Sequence, residues 1–196
     1  ELLLENIKES NDGNVECIEL WGMDLSDLHS IKNFDDKFIK KVGELHYLWN
    51  NAGTYLYDNF EQQFQVNHLS HFLMTSLLIS TIKNSATPES PCKIIHTSSI
   101  AQKPGKIDFD NLNGEKSCSL MELYANAKLM VSPDNILKNI IMLFAKSPNI
   151  GAINVMYPSL DPNIDEGGKY FEDYKEVKPN DQALNEELTK TFWEKK

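Results

Sequence analysis

Tyr124 and Lys128 stand four residues apart in Tyr124-Ala125-Asn126-Ala127-Lys128, inside a stretch of helical character from Met121 to Met130. That spacing puts a phenol and an ammonium on one face of a helix. A free phenol holds its proton to about pH 10. A cation one turn away favours the phenolate, which makes the pair a candidate acid/base. The pattern alone is weak, because seven tyrosines and 19 lysines in 196 residues give nearly one such match by chance. A second match, Tyr174 to Lys178, does occur in a charged stretch directly before Pro179, where helix is disfavoured. It is expected to be a coincidence.

Four further features could do chemistry in company with that pair. Asp24-Leu25 and Asn50-Asn51-Ala52-Gly53 each follow a strand candidate, Ser98-Ser99 ends another, and Asn67 interrupts an apolar helical run. Taken singly, each has a plain structural explanation. Asp24 reads as a carboxylate leading a helix, Asn50 to Gly53 as a polar turn, Ser98-Ser99 as a strand end, and Asn67 as a satisfied buried amide. Their order along the chain, rather than any one of them, carries information.

The elements that must position these residues alternate between strand and helix. Glu1 to Lys8 reads as helical with no capping residue before it, and Asn11 to Asn14 as a turn. Val15–Trp21, Leu45–Trp49 and Lys93–Thr97 are strand candidates. Between the first two lies a helix with Ser26 as its expected N-cap and an apolar face of Leu28, Ile31, Phe34, Phe38 and Val42. Phe64 to Ile82 reads as a long, largely buried helix. The last third is punctuated by Pro133, Pro148, Pro158 and Pro162. It turns into a short strand at Gly167 to Phe171 and closes in an amphipathic helix along Leu184, Leu188 and Phe192. Alternating strands and helices predict an α/β fold with a parallel sheet, and the length predicts a single domain over residues 1–196.

Composition narrows the function. Net charge is −10 and every basic residue is a lysine, which argues against a nucleic-acid surface. Cys17, Cys92 and Cys118 are widely spaced and odd in number, so neither a disulfide framework, a zinc ribbon nor another metal site is expected. A reducing intracellular compartment follows. No signal-peptide pattern is read, and the apolar stretches Leu69 to Ile82 and Ile136 to Ala145 fall short of a membrane span. The expectation is a cytoplasmic protein, at most peripheral on an intracellular membrane or lipid surface.

The ordered series Asp24-Leu25, Asn50 to Gly53, Asn67, Ser98-Ser99 and Tyr124-x-x-x-Lys128 resembles the short-chain dehydrogenase/reductase family. Phe64 to Leu73, Gly105 to Leu112 and Gly168 to Asp173 are similar to its retinol-dehydrogenase-like branch. The resemblance implies a Rossmann-type doubly wound parallel sheet with strand order 3-2-1-4-5-6-7 and an NAD- or NADP-dependent interconversion of alcohol and carbonyl on a lipophilic small molecule. It implies that Tyr124 is the acid/base, that Lys128 assists it and bonds the nicotinamide ribose, that Ser99 holds the substrate oxygen, and that Asn67 supports a water chain to the lysine. Asp24 and Leu25 would lie near the adenine, and Asn51, Ala52 and Gly53 beside the cofactor. A homodimer built on the long helix around Asn67 is implied as well.

The sequence departs from that pattern in three places. None of its nine glycines forms the glycine-rich turn that receives a pyrophosphate, and the first two strands of the family have no counterpart. After Lys128 the text jumps, past Pro133, to a much later part of the family pattern, leaving the sixth strand unaccounted for. The loop between Gly53 and Phe60 is short. Lost strands leave buried edges with unpaired N–H and C=O groups, so the sheet is not expected to close. The competing reading is therefore a non-catalytic remnant acting through protein contacts.

Overall fold

The computed structural model describes residues 18–55, 60–112, 114–116, 119–130, 140–142 and 148–194. The expected helix at Glu1 to Lys8, the turn at Asn11 to Asn14, Cys17, Cys118 and Pro133 lie outside the described residues. So does the start of the first strand candidate, whose remainder, Ile18 to Trp21, runs without strand pairing.

Four strands, β1 (Tyr47–Asn50), β2 (Lys93–Ser98), β3 (Ile140–Met142) and β4 (Tyr170–Glu172), pair in parallel and in sequential order. A fifth, β5 (Lys175–Glu176), returns antiparallel on β4. The hairpin between them turns on Asp173 and Tyr174, both with positive φ of 52° and 62°, as a two-residue turn requires. Tyr174 is thus in a turn, not a helix, and its spacing to Lys178 is the coincidence expected. The sheet closes where the sequence left a gap: Ile140–Met142 bridges β2 and β4. Three residues are too few for a period-2 signal, which is why this strand went unread.

Helix α1 (Leu28–Lys41) begins one residue later than its sequence suggests, with Asp27 as N-cap accepting from the His29 amide. Ser26 is instead drawn to Asp24, whose Oδ1 takes both its N–H and its O–H. The long helical run is three pieces: α2 (Phe60–Phe64), a π-helical turn over Gln65–Leu69, and α3 (Ser70–Ser85). Helix α4 (Leu120–Met130) starts at a reciprocal capping box, in which Glu122 accepts from the Ser119 amide and Ser119 from the Glu122 amide. Helix α5 (Pro148–Leu160) occupies a region its four prolines made look irregular. Pro148 sits at the first helical position, where a missing N–H costs nothing, and Pro158 falls in the last turn. Helix α6 (Glu186–Glu194) follows a 3-10 turn at Asp181–Leu184.

One core joins Ile31 of α1, Leu48 of β1, Ile94 of β2 and Met74, Leu78 and Ile82 of α3. Lys93 precedes Ile94 and points to the opposite face, where its ammonium donates to the Pro158 and Asp161 carbonyls at the end of α5. Helices therefore cover both faces of a parallel sheet, the doubly wound arrangement that the motif order implies. No described helix is long and apolar enough to cross a membrane.

Candidate active site at the ends of β1 and β2

β1 and β2 run side by side, so the residues that leave their C-terminal ends, Asn51 onward and Ser99 onward, emerge together. This edge is where open α/β sheets hold ligands. Thr97 ties the two exits, its hydroxyl donating to Asn51 Oδ1 at 2.9 Å.

Behind the first exit stands the π-helical turn, a local widening of the helix of a kind that often marks functional sites. It aims Asn67, 1% exposed, at the chain just past Gly53. Asn67 Oδ1 accepts from the Thr54 amide at 2.7 Å and its amide donates to the Thr54 carbonyl at 2.8 Å, copying a backbone ladder. One turn on, His71 Nε2 lies 2.6 Å from the Ala52 carbonyl. A carbonyl only accepts, so Nε2 carries the proton and Nδ1 is bare, without a partner among the described residues. Burial, with help from the Lys128 charge and against the Ala52 bond, holds the His71 pKa below the usual histidine value. Sequence reasoning missed His71, although its place four residues after Asn67 puts both on one helix face.

The same cluster receives Lys128 from α4. Its side chain is 5% exposed, and its ammonium donates to the Thr97 carbonyl at 3.2 Å. No described carboxylate pairs with it, and burial lowers its pKa to about 8. Gly53 closes the group. A Cβ there would stand 2.8 Å from Asn67 Oδ1 and 3.2 Å from Lys128 Nζ, so only glycine lets these polar ends converge. Tyr124 is half-buried one turn before Lys128, its ring centroid 5.9 Å from the ammonium and edge-on to Tyr55. The face shared by Tyr124 and Lys128 is the one their spacing predicts.

At the second exit, Ser98 Oγ donates to the Lys128 carbonyl and so pins α4 to β2. Ser99 is buried and caps a short 3-10 turn (Ile100–Gln102), its Oγ accepting from the Ala101 amide at 3.2 Å. That leaves the Ser99 hydroxyl proton free to donate. No hydrogen bond joins Ser99 to Tyr124 among the described residues. Asp24 and Leu25 lie on the flank, where Ser70 Oγ donates to the Leu25 carbonyl and Gln65 Nε2 to the Ser26 carbonyl. The two bonds from Ser26 hold the exposed Asp24 carboxyl below its usual pKa. Asn67, Gly53, Lys128 and Tyr124 are thus brought together, Ser99 is on the neighbouring strand end, and Asp24 stands apart from them.

The family model for short-chain dehydrogenases matches residues 1–131. This chain belongs to that family. Retinol dehydrogenase 12 of Mus musculus is 32% identical over 212 residues, covering 87% of this chain and 66% of the relative. Retinol dehydrogenase 11 of Homo sapiens is 29% identical over 235 residues, 99% of this chain and 72% of the relative. That second span is longer than the 196 residues of the chain, so parts of the relative inside it have no counterpart here. The chain spans about two thirds of the length of the relatives it matches. Among solved structures, an uncharacterized protein from Mycobacterium paratuberculosis superposes with a TM-score of 0.69 at 22% identity, over 90% of this chain and 73% of that one. The fold of the short-chain dehydrogenases is therefore present in the described residues.

Proposed function

We propose that this protein is an NAD(P)-dependent oxidoreductase that interconverts an alcohol and a carbonyl on a lipophilic small molecule. The observation that carries the reading is the meeting of Gly53, Asn67 and the buried Lys128 within one turn of Tyr124. A buried ammonium with one bound carbonyl and donors to spare fits a ribose hydroxyl pair. The side-chain-free strip at Gly53 fits the close passage of a flat ring. The residues thus fit the nicotinamide-ribose end of the cofactor, while the pyrophosphate end would need a glycine turn this sequence does not contain.

When bound, the nicotinamide accepts or gives the hydride. Tyr124 takes the hydroxyl proton of an alcohol, or returns one to the oxygen of a carbonyl. Lys128 sets its ammonium beside the phenol, 5.9 Å from the ring centroid. Ser99, with its own proton free, donates to the substrate oxygen. Asn67 holds the Gly53–Thr54 backbone in line, Asn51 and Ala52 complete that wall, and Asp24 and Leu25 lie on the adenine side. The names of the relatives support a lipophilic alcohol. Such a substrate is met at an intracellular lipid surface, where this protein would act peripherally. Oxidation of all-trans-retinol with NADP or NAD, followed at the absorbance of the reduced nicotinamide, tests the reading. Turnover by the wild type and none by Tyr124→Phe is expected; no turnover of retinol or of simpler primary alcohols by the wild type would overturn it.

A further inference from the structure

The loop after Ser99 is held by a residue some eighty positions away. We propose that Asn180 is a positioning residue that sets this loop, and with it Ser99, against the helix carrying Tyr124. The proposal rests on the oxidoreductase reading above. Asn180 turns its N–H donors on this loop while its oxygens cap the 3-10 turn that follows it. Its Nδ2 lies 3.1, 2.8 and 3.1 Å from the carbonyls of Gln102, Lys103 and Gly105, so two N–H groups are shared among three acceptors of one loop. Its backbone N–H donates to Gln102 Oε1 at 3.2 Å, and its Oδ1 accepts from the Gln182 amide, which aims the side chain. Gln182 adds a fifth tie by accepting from the Ile107 amide at 2.9 Å.

What this clamp grips is the substrate side of the site. The loop opens at Ser99, whose hydroxyl caps the turn and whose carbonyl accepts from the Gln102 amide. Six residues after Ser99, Gly105 is wedged on the far wall. A Cβ there would stand 2.7 Å from the Ala125 carbonyl and 3.0 Å from that of Gln102. The next amide, Lys106, donates to Asn126 Oδ1 at 2.7 Å. Ala125 and Asn126 directly follow Tyr124. The loop is pressed closely on α4 from one side and held from the other by the Asn180 fork, with Gln182 and the Lys103–Glu172 ion pair beside it. Loosening the fork lets Ser99 and Tyr124 drift apart. A misplacement of about 1 Å at reacting groups costs up to a hundredfold in rate.

No other side chain of this length offers two donors and an acceptor from one planar group. Asn180→Asp removes the donors and turns a carboxylate on three carbonyls, while nearly keeping the shape. The test is a double-mutant cycle in the full chain, with NADPH and all-trans-retinaldehyde as probes. Asn180→Asp is expected to lower kcat roughly tenfold to a hundredfold, to leave the NADPH Kd within about twofold, and to cost less than about twofold further once Ser99→Ala is present. Hydrogen exchange should quicken at the amides of Gln102, Lys103 and Gly105 and not in β2. Asn180→Ser, which keeps one donor and one acceptor, should fall between and serves if the aspartate variant does not fold. Additive losses with Ser99→Ala, or unchanged exchange in that loop, would overturn the positioning role. A wild type that neither binds NADPH nor turns over would instead bring down the oxidoreductase reading, and this proposal with it.

Discussion

Two loops leave the same edge of the sheet, and they are held in opposite ways. The turn after β1 is fixed from nearby in the chain, by Asn67 and His71, which lie 13 and 19 residues beyond their partners. The loop after β2 is fixed from afar, by Asn180 and Gln182, 75 to 78 residues on. The first is braced by side chains whose ends converge on Gly53, the second by backbone pressed on backbone at Gly105. In the proposed reaction the first faces the cofactor and the second the substrate, with α4 between them. Changes in one should therefore register in affinity for the nucleotide, and changes in the other in turnover.

The largest effect should come from α4 itself. Tyr124→Phe removes the acid/base while both loops keep their seats, so turnover should fall by about 10²- to 10⁴-fold at an unaltered NADPH Kd. A parallel loss of affinity would mean that the tyrosine belongs to the cofactor wall instead. Next come the two glycines. Gly105→Ala drives a methyl into the Ala125 carbonyl and should cost about 3 kcal/mol of stability by denaturant titration. Gly53→Ala meets the tips of Asn67 and Lys128, which can yield, and should cost about 1 kcal/mol while weakening NADPH by about tenfold. Equal stability losses would erase the contrast between the loops.

Lys128 gives a pH-dependent prediction. Its folded pKa of about 8 lies below the 10.5 of a free lysine, so between these values the unfolded chain binds more protons than the folded one. The burial cost is complete below pH 8 and fades as pH rises towards 10.5. Lys128→Met should accordingly raise stability at pH 7 by on the order of 2 kcal/mol, lose turnover, and show a shrinking stability gain in unfolding curves above pH 8. A gain that does not change with pH would show that the lysine is not charged and buried as described. The smallest effect on nucleotide affinity belongs to His71. Its replacement by Phe leaves the Ala52 carbonyl without its donor and should cost about 1–2 kcal/mol, with a modest weakening of NADPH.

The contrast between the loops also explains what the sequence disclosed. Tyr124, Lys128, Asn67 and the Asn51–Gly53 turn lie within single elements or at their ends, so spacing and order along the chain single them out as candidates. Asn180 lies in no pattern, because its partners are carbonyls that every residue carries. The sheet was legible as far as its strands were long enough to alternate. β3 was not, and neither was α5, whose prolines mimic loop punctuation while one of them starts the helix. Ser26 has the chemistry of a cap, but its bonds to the Asp24 carboxylate leave that place to Asp27.

In the proposed reaction Gly53, Asn67 and Lys128 receive the nicotinamide ribose. The most direct test is a fluorescence titration of NADPH into the wild type and into Lys128→Met. A saturable signal in the wild type, weakened at least about tenfold in a variant that melts no lower, is the predicted result. Superposable curves, or no saturable signal in a folded wild type, would contradict it.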